Sequence, residues 1–246
     1  MNLSGKCHAS FSLQFHTKPR ELRARSAVRE FVRKLFLLSP AKINGARATF
    51  LMNPQATFAL ARQLHREGLP LADVFTFASG LYFRGKITYA RQFAQSKTSD
   101  LIRIITTNRG LVDPLLHVKP SDLAAFGEVD IHESNTSYHE PLRRDAETLR
   151  KQLNPDGLAI LLGSIATAKY RDVLLHGFGS QLVFPSDFIG RGDMSRGALL
   201  LRAAKENIEL PYTAVQGAIY RGKRAPRVGP AKDSGEKRVR GQETSR

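Results

Sequence analysis

The residues best placed to do chemistry lie in the run Gly190-Arg-Gly-Asp-Met-Ser-Arg-Gly197. It sets Arg191, Asp193, Ser195 and Arg196 among glycines, directly ahead of the apolar Leu199-Leu-Leu201. Successive backbone N–H groups in a glycine-rich turn at a helix start cradle anions. Guanidinium groups beside them bind phosphate or carboxylate through paired donors. Gly192 would let a ligand approach the backbone, and Asp193 would either cap the helix or serve as an acid–base group. A second cluster, Ser79-Gly-Leu-Tyr-Phe-Arg-Gly-Lys86, offers Ser79 and Gly80 at an element end and Arg84 and Lys86 as phosphate binders. Cations in the first turn of a helix oppose its dipole, and that local conflict favours a ligand-binding role. Tyr82 and Tyr89 have faces on which a base could stack, or they belong to the core. A third cluster, Arg109-Gly-Leu-Val-Asp-Pro114, supplies Arg109 and Gly110 for an anion and Asp113 as a candidate carboxylate. Gly163-Ser164, followed by Lys169-Tyr170, supplies Ser164.

Other chemistries are excluded or unsupported. The single cysteine, Cys7, rules out an intrachain disulfide and a cysteine-ligated zinc site. The histidines (8, 16, 65, 117, 132, 139 and 176) show no metal-ligand spacing, and His132 and His139 beside Glu133 and Glu140 read as surface residues. There is no Walker loop, no Gly-x-Gly-x-x-Gly after a strand, no Gly-x-Ser-x-Gly and no His-Glu-x-x-His. Ser79 has no identifiable histidine base, so a hydrolase triad built on it is rejected. No metal and no cofactor are expected.

Of the 246 residues, 38 are Lys or Arg and 22 are Asp or Glu, a net charge of +16. That excess is concentrated at the ends. Residues 1–50 carry a net +8 and residues 221–246 a net +6, whereas the middle is nearly balanced. The last segment has no hydrophobic periodicity and is rich in Gly, Pro, Lys and Arg, so it reads as a disordered basic tail. Such a tail either contacts nucleic-acid phosphates without sequence preference or simply solvates the chain. With 41% hydrophobic residues the chain can build a core, and it has neither an 18-residue apolar run nor a secretory signal. A soluble, cytoplasmic protein with no membrane span is expected.

Val28, Phe31, Val32 and Leu35 follow helical spacing, with Arg25, Arg29 and Arg33 on the opposite stripe, so a basic amphipathic helix is expected there. Asn53-Pro54 to Gly68 reads as a capped helix. Val74 to Ala78 reads as a buried strand ended by Ser79-Gly80, and Phe83 to Ala94 as a helix. A second strand is expected over Leu101–Thr106 and a helix through Leu142, Ala146, Leu149 and Leu153. Strands over Leu158–Leu162 and Leu182–Phe184, helices over Ala168–Phe178 and Ser195–Lys205, and an edge strand over Tyr212–Val215 follow. Alternating strands and helices with continuous apolar strands predict a three-layer α/β fold, its sheet mostly parallel and covered by helices on both faces. The expected organisation is a basic arm with its helix over 1–38, one α/β domain over 39–220 and the tail over 221–246. Ligands of such folds bind at the carboxyl ends of strands, where the four clusters fall.

The order of those clusters (Ser79 to Lys86 with Tyr89-Ala90, Arg109 to Pro114, Leu162-Gly-Ser164 with Lys169-Tyr170, then Phe184-Pro185 and Ile189 to Gly197) resembles the YaaA-like domains of bacteria. The resemblance spans about residues 74–202 and extends to an uncharacterised bacterial family with the same Ser79–Lys86 and Gly190–Gly197 segments, in which the domain would begin at Ser39-Pro-Ala41. It implies a fold similar to uracil-DNA glycosylases and to a domain of archaeosine synthase, and a link with nucleic acid and oxidative stress. The chain departs from the pattern in two places. The Cys-Ser-x-x-Lys element that usually follows the first strand is shortened or absent. Asp113-Pro114 is followed by Leu115, so the Asp-Pro-Tyr water-activating motif of the glycosylases is not formed.

Two functions follow as expectations. The first is a nucleic-acid- or nucleotide-associated binding protein, whose basic ends meet nucleic acid and whose strand-end pocket takes a nucleotide or other phosphorylated small molecule. The alternative is an enzyme acting on a nucleobase, nucleoside or modified base, with Asp113 or Asp193 in acid–base or electrostatic work. A protein–protein adaptor is the plainest third option.

Overall fold

The computed structural model describes residues 32–94, 101–132, 134–166, 168–219 and 222. The N-terminal arm and nearly all of the basic tail lie outside these residues.

Leu35-Phe-Leu-Leu38 is apolar at every position, which no strand with a solvated face tolerates. These residues close strand β1 (Val32–Leu38), and all four are buried. After it come α1 (Ala46–Met52), α2 (Ala59–Arg66), the short β2 (Leu69–Pro70), α3 (Leu71–Ser79) and α4 (Leu81–Phe93). Next are β3 (Ile102–Ile105), β4 (Leu111–Val112), β5 (His117–Val118), α5 (Pro120–Glu128) and α6 (Thr136–Arg150). The chain continues through β6 (Leu153–Leu162), α7 (Ala168–Phe178), β7 (Leu182–Pro185), α8 (Asp193–Glu206) and β8 (Tyr212–Ala214).

Six strands form one sheet in the order β4-β3-β1-β6-β7-β8, and β2 pairs with β5 separately. The four central strands are parallel, and β4 and β8 run antiparallel at the edges. Phe36 of β1 lies between Ile102 of β3 and Ile160 of β6. The chain leaves β1 toward β3 on one side and later returns to β6 on the other, so β1 and β6 flank the topological switch point. Right-handed crossovers in opposite directions cover opposite faces of a sheet. Accordingly α4 packs on α8 and α6 packs on α7, one pair to each face. The α/β class, the mostly parallel sheet and its helical layers agree with the sequence.

Several elements differ from expectation. Asn53 and Pro54 do not open a helix: Asn53 closes α1, and α2 begins at Ala59 after Phe58. Leu153, expected in the helix through Leu142, opens β6. Val32 and Leu35, expected in a basic amphipathic helix, belong to β1, the centre of the sheet; the positions before Val32 lie outside the described residues. The sheet therefore starts at Val32, seven residues ahead of the expected boundary at 39. Val74–Ala78 is helix, part of α3, not strand. Leu71, Ala72, Val74 and Phe75 are buried on one side and Asp73 is exposed, but the Val-Phe-Thr-Phe-Ala run is short, β-branched and aromatic, which makes it read as a strand. It ends at Gly80, whose φ of 61° breaks the chain direction before α4 begins at Leu81.

Candidate functional site

A cleft of about 930 Å³ opens at the carboxyl ends of β1, β3 and β6. Ser39, Thr107 and Ser164 line it, each just past the end of its strand. Tyr82 from the first turn of α4, Lys169 and Tyr170 from the start of α7, and Asp193 at the start of α8 complete the wall. Three helices thus point their amino ends at one space. Their unpaired N–H groups and dipoles favour negative charge there.

Beneath the cleft lies Lys86, one of the largest fully buried side chains. Its Nζ donates to the Ser39 carbonyl oxygen at 2.6 Å and to Ser39 Oγ at 2.9 Å. The rings of Tyr82 and Phe83 stand 4.4 and 4.9 Å from the same nitrogen. Burial among these groups pushes the Lys86 pKa down to about 7; the Asp193 carboxylate opposes the shift and the Arg196 guanidinium adds to it.

Ser39 is held from two further sides. Its backbone N–H and its Oγ both donate to the Leu162 carbonyl at 3.3 Å, tying the end of β1 to the end of β6. Gly163 makes this possible: a Cβ there would stand 2.9 Å from both Ser39 Cβ and the Tyr170 hydroxyl. The Tyr170 hydroxyl accepts the Ser164 N–H at 3.0 Å. The Tyr82 hydroxyl is buried in the wall beside the Arg196 guanidinium, and burial raises its pKa.

Of the residues singled out from sequence, Ser79, Tyr82, Ser164 and Asp193 line this cleft, with Lys86 under its floor. Arg196 is close behind. Its guanidinium donates to the Phe188 carbonyl at 3.2 and 3.3 Å, lies 3.5 Å from Asp193 and stacks on the Phe188 ring. Gly192 is the N-cap of α8 without a side-chain cap.

The others are placed elsewhere. Arg191 donates to the Asp187 carbonyl and to Ser195 Oγ, within its own turn. Arg84 and Gly80 line a separate pocket of about 370 Å³ with Arg47 and Phe77. Arg109 pairs with Asp122 and lies over Phe126. Gly110 packs against Asp145 and the Pro141 carbonyl of α6. Asp113 accepts the Leu115 N–H at 2.7 Å and faces Arg103 at 3.8 Å, as a turn residue does. The four strand-end arginines therefore do not form one anion clamp.

Sequence reasoning missed Ser39, Lys42, Thr107 and Phe126, all of which line the cleft. A Ser-Pro pair directly after a continuous apolar run was the available signal for Ser39. Among the described residues no cluster of three or more His, Cys, Asp or Glu could hold a metal ion, and no helix is long and apolar enough to cross a membrane.

Comparison with models of protein families, with curated proteins and with solved structures finds no match in any of the three.

Proposed function

We propose that this domain binds a small anionic ligand of the nucleotide class in the cleft at the ends of β1, β3 and β6. The observation that carries the reading is the position of the cleft, beside the switch point of the sheet and at the amino ends of α4, α7 and α8. Those ends and the ammonium groups of Lys42 and Lys169 favour a phosphate on one side of the cleft, while the carboxylates of Glu128, Asp130 and Asp193 line it as well and leave room for hydroxyl or amino groups of a ligand. Ligands of doubly wound folds gather at the switch point, here between β1 and β6. The order of segments that resembles YaaA-like domains supports the same reading.

Isothermal titration with nucleoside mono- and diphosphates tests it. Wild-type protein should bind at least one with a Kd below about 1 mM. Lys42→Ala and Lys169→Ala should each weaken that binding. Absence of binding across all bases and phosphate lengths would overturn the proposal.

The second reading, an enzyme at the same cleft, is favoured by the contact between Lys86 and Ser39. Asp193, within the cleft wall, is then the better placed of the two candidate carboxylates, since Asp113 is engaged in its own turn.

A further inference from the structure

We propose that Ser39 and Lys86 form a nucleophile–base pair that transfers the acyl group of an ester or amide bound in the cleft. It uses the same cavity as the proposed nucleotide site but does not require the ligand to be a nucleotide.

The geometry is that of an activated hydroxyl. Lys86 Nζ lies 2.9 Å from Ser39 Oγ and is fixed on its other side by the Ser39 carbonyl at 2.6 Å. A nucleophile must lie within such reach of its base, and the base must be oriented by a third group. The aromatic rings of Tyr82 and Phe83 exclude water from the amine, while Ser39 itself lines the cleft. The charged or titratable groups that face this pair are Asp193 and Arg196 of α8, Tyr82 of α4 and Tyr170 of α7.

In the protonated state Lys86 donates to Ser39 Oγ, whose own proton points to the Leu162 carbonyl. Loss of the Lys86 proton reverses that polarity. The neutral amine then takes the Ser39 proton as Oγ bonds to the carbonyl carbon of the substrate. The oxyanion that develops needs donors. Ala41 and Lys42 line the cleft just after Ser39, and their backbone N–H groups, without an acceptor among the described residues, are the donors assigned to it. Collapse breaks the bond from carbon to the leaving oxygen or nitrogen, which departs with the proton held by Lys86. Water then attacks the acyl-Ser39 and gives its proton to Lys86. Ser39 leaves with that proton, and a carboxylic acid is released.

The test uses the full chain and an alkyl fluorophosphonate, read by intact mass and by mapping of the modified peptide. Wild-type protein should gain one adduct, on Ser39, at a rate that rises with pH through about 7. Ser39→Ala should lose it, and Lys86→Met should slow it by about 100-fold or more. Circular dichroism checks the fold of each variant. If Lys86→Met does not fold, the pH profile of the wild type carries the test. No adduct on Ser39, an adduct rate independent of pH between 6 and 9, or equal labelling of a folded Lys86→Met would overturn the proposal. Labelling of Ser39 in a protein that binds no nucleotide would sink only the earlier reading, and nucleotide binding without labelling would sink only this one.

Discussion

Gly85 of α4 and Gly197 of α8 bring the two helix backbones into direct contact. A Cβ on Gly85 would stand 2.7 Å from the Gly197 carbonyl oxygen, and a Cβ on Gly197 would stand 2.8 Å from Tyr82 Cα. The glycine that closes the Gly190–Gly197 run is therefore a packing residue, and what it packs against is the backbone of a cleft residue. Gly197→Ala should destabilise the domain by about 1–3 kcal/mol, because backbone atoms cannot rotate aside as a flexible side chain can. It should also shift Tyr82. A denaturation midpoint equal to that of wild type would show that α4 and α8 separate freely.

A second contact ties the segment that leads into β8 to α4 and β1. Tyr89 on α4 accepts the Leu210 N–H at 2.9 Å and donates to Tyr212, which donates to Glu209; Lys34 of β1 pairs with the same carboxylate. Tyr89→Phe should cost about 1–3 kcal/mol, because the Leu210 amide is left without an acceptor and Tyr212 without a donor. Tyr212→Phe should cost less, since it leaves the Leu210 bond in place. Equal losses in the two variants, measured by chemical denaturation, would mean that the Leu210 bond contributes nothing.

The legible and illegible parts of this fold divide by how each element is buried. Helix α6 is readable because Leu142, Ala146 and Leu149 are buried along one stripe while Arg143, Glu140 and Glu147 pair on the exposed side. Strands β3 and β7 and the second half of β6, Leu158–Leu162, are readable as short apolar runs; the first half of β6, with Asn154-Pro-Asp-Gly157, is not. Helix α3 and strand β1 exchange class because short apolar runs carry too little periodicity to separate the two: Val74–Ala78 is aromatic and β-branched inside a helix, while Val32 and Leu35 fall at helical spacing inside a strand. That exchange hides the site. With β1 read as a helix, Ser39 does not stand at the end of a strand, and Lys86 is directed to a ligand and not to Ser39. The arginines fail for a different reason. Guanidinium groups in tight turns find their partners nearby, as Arg191 and Arg196 do with the Asp187 and Phe188 carbonyls.

The basic tail, outside the described residues, yields a prediction from charge alone. Residues 221–246 carry 9 basic and 3 acidic side chains. If they bind nucleic acid, their removal should reduce both the affinity for duplex DNA and the steepness of its salt dependence, the slope falling by about 0.9 for each phosphate that the tail neutralises. Fluorescence anisotropy at several salt concentrations measures both. An unchanged slope in the truncated protein would assign the tail to solvation.

The depressed pKa of Lys86 predicts how stability varies with pH. In the unfolded chain this amine holds its proton up to its ordinary value of 10.5, whereas in the folded domain it releases it near 7. Between those values the unfolded state binds more protons, so stability rises with pH, by at most about 1.4 kcal/mol per unit from this one group. Below about 7 both states are protonated and the penalty is constant. The buried tyrosines act in the opposite sense above about 10. Burial pushes Tyr89 up to about 12 and raises Tyr82 and Tyr138 as well, so the folded state keeps protons that unfolded tyrosines release. Denaturation midpoints of wild type and Lys86→Met, taken from pH 6 to 9.5, separate the lysine from the other charges. The difference between the two should move in favour of the wild type as pH rises through 7 to 9.5. Parallel curves would mean that Lys86 keeps an ordinary affinity for its proton inside the domain, and with it too little neutral amine near pH 7 to act as the base for Ser39.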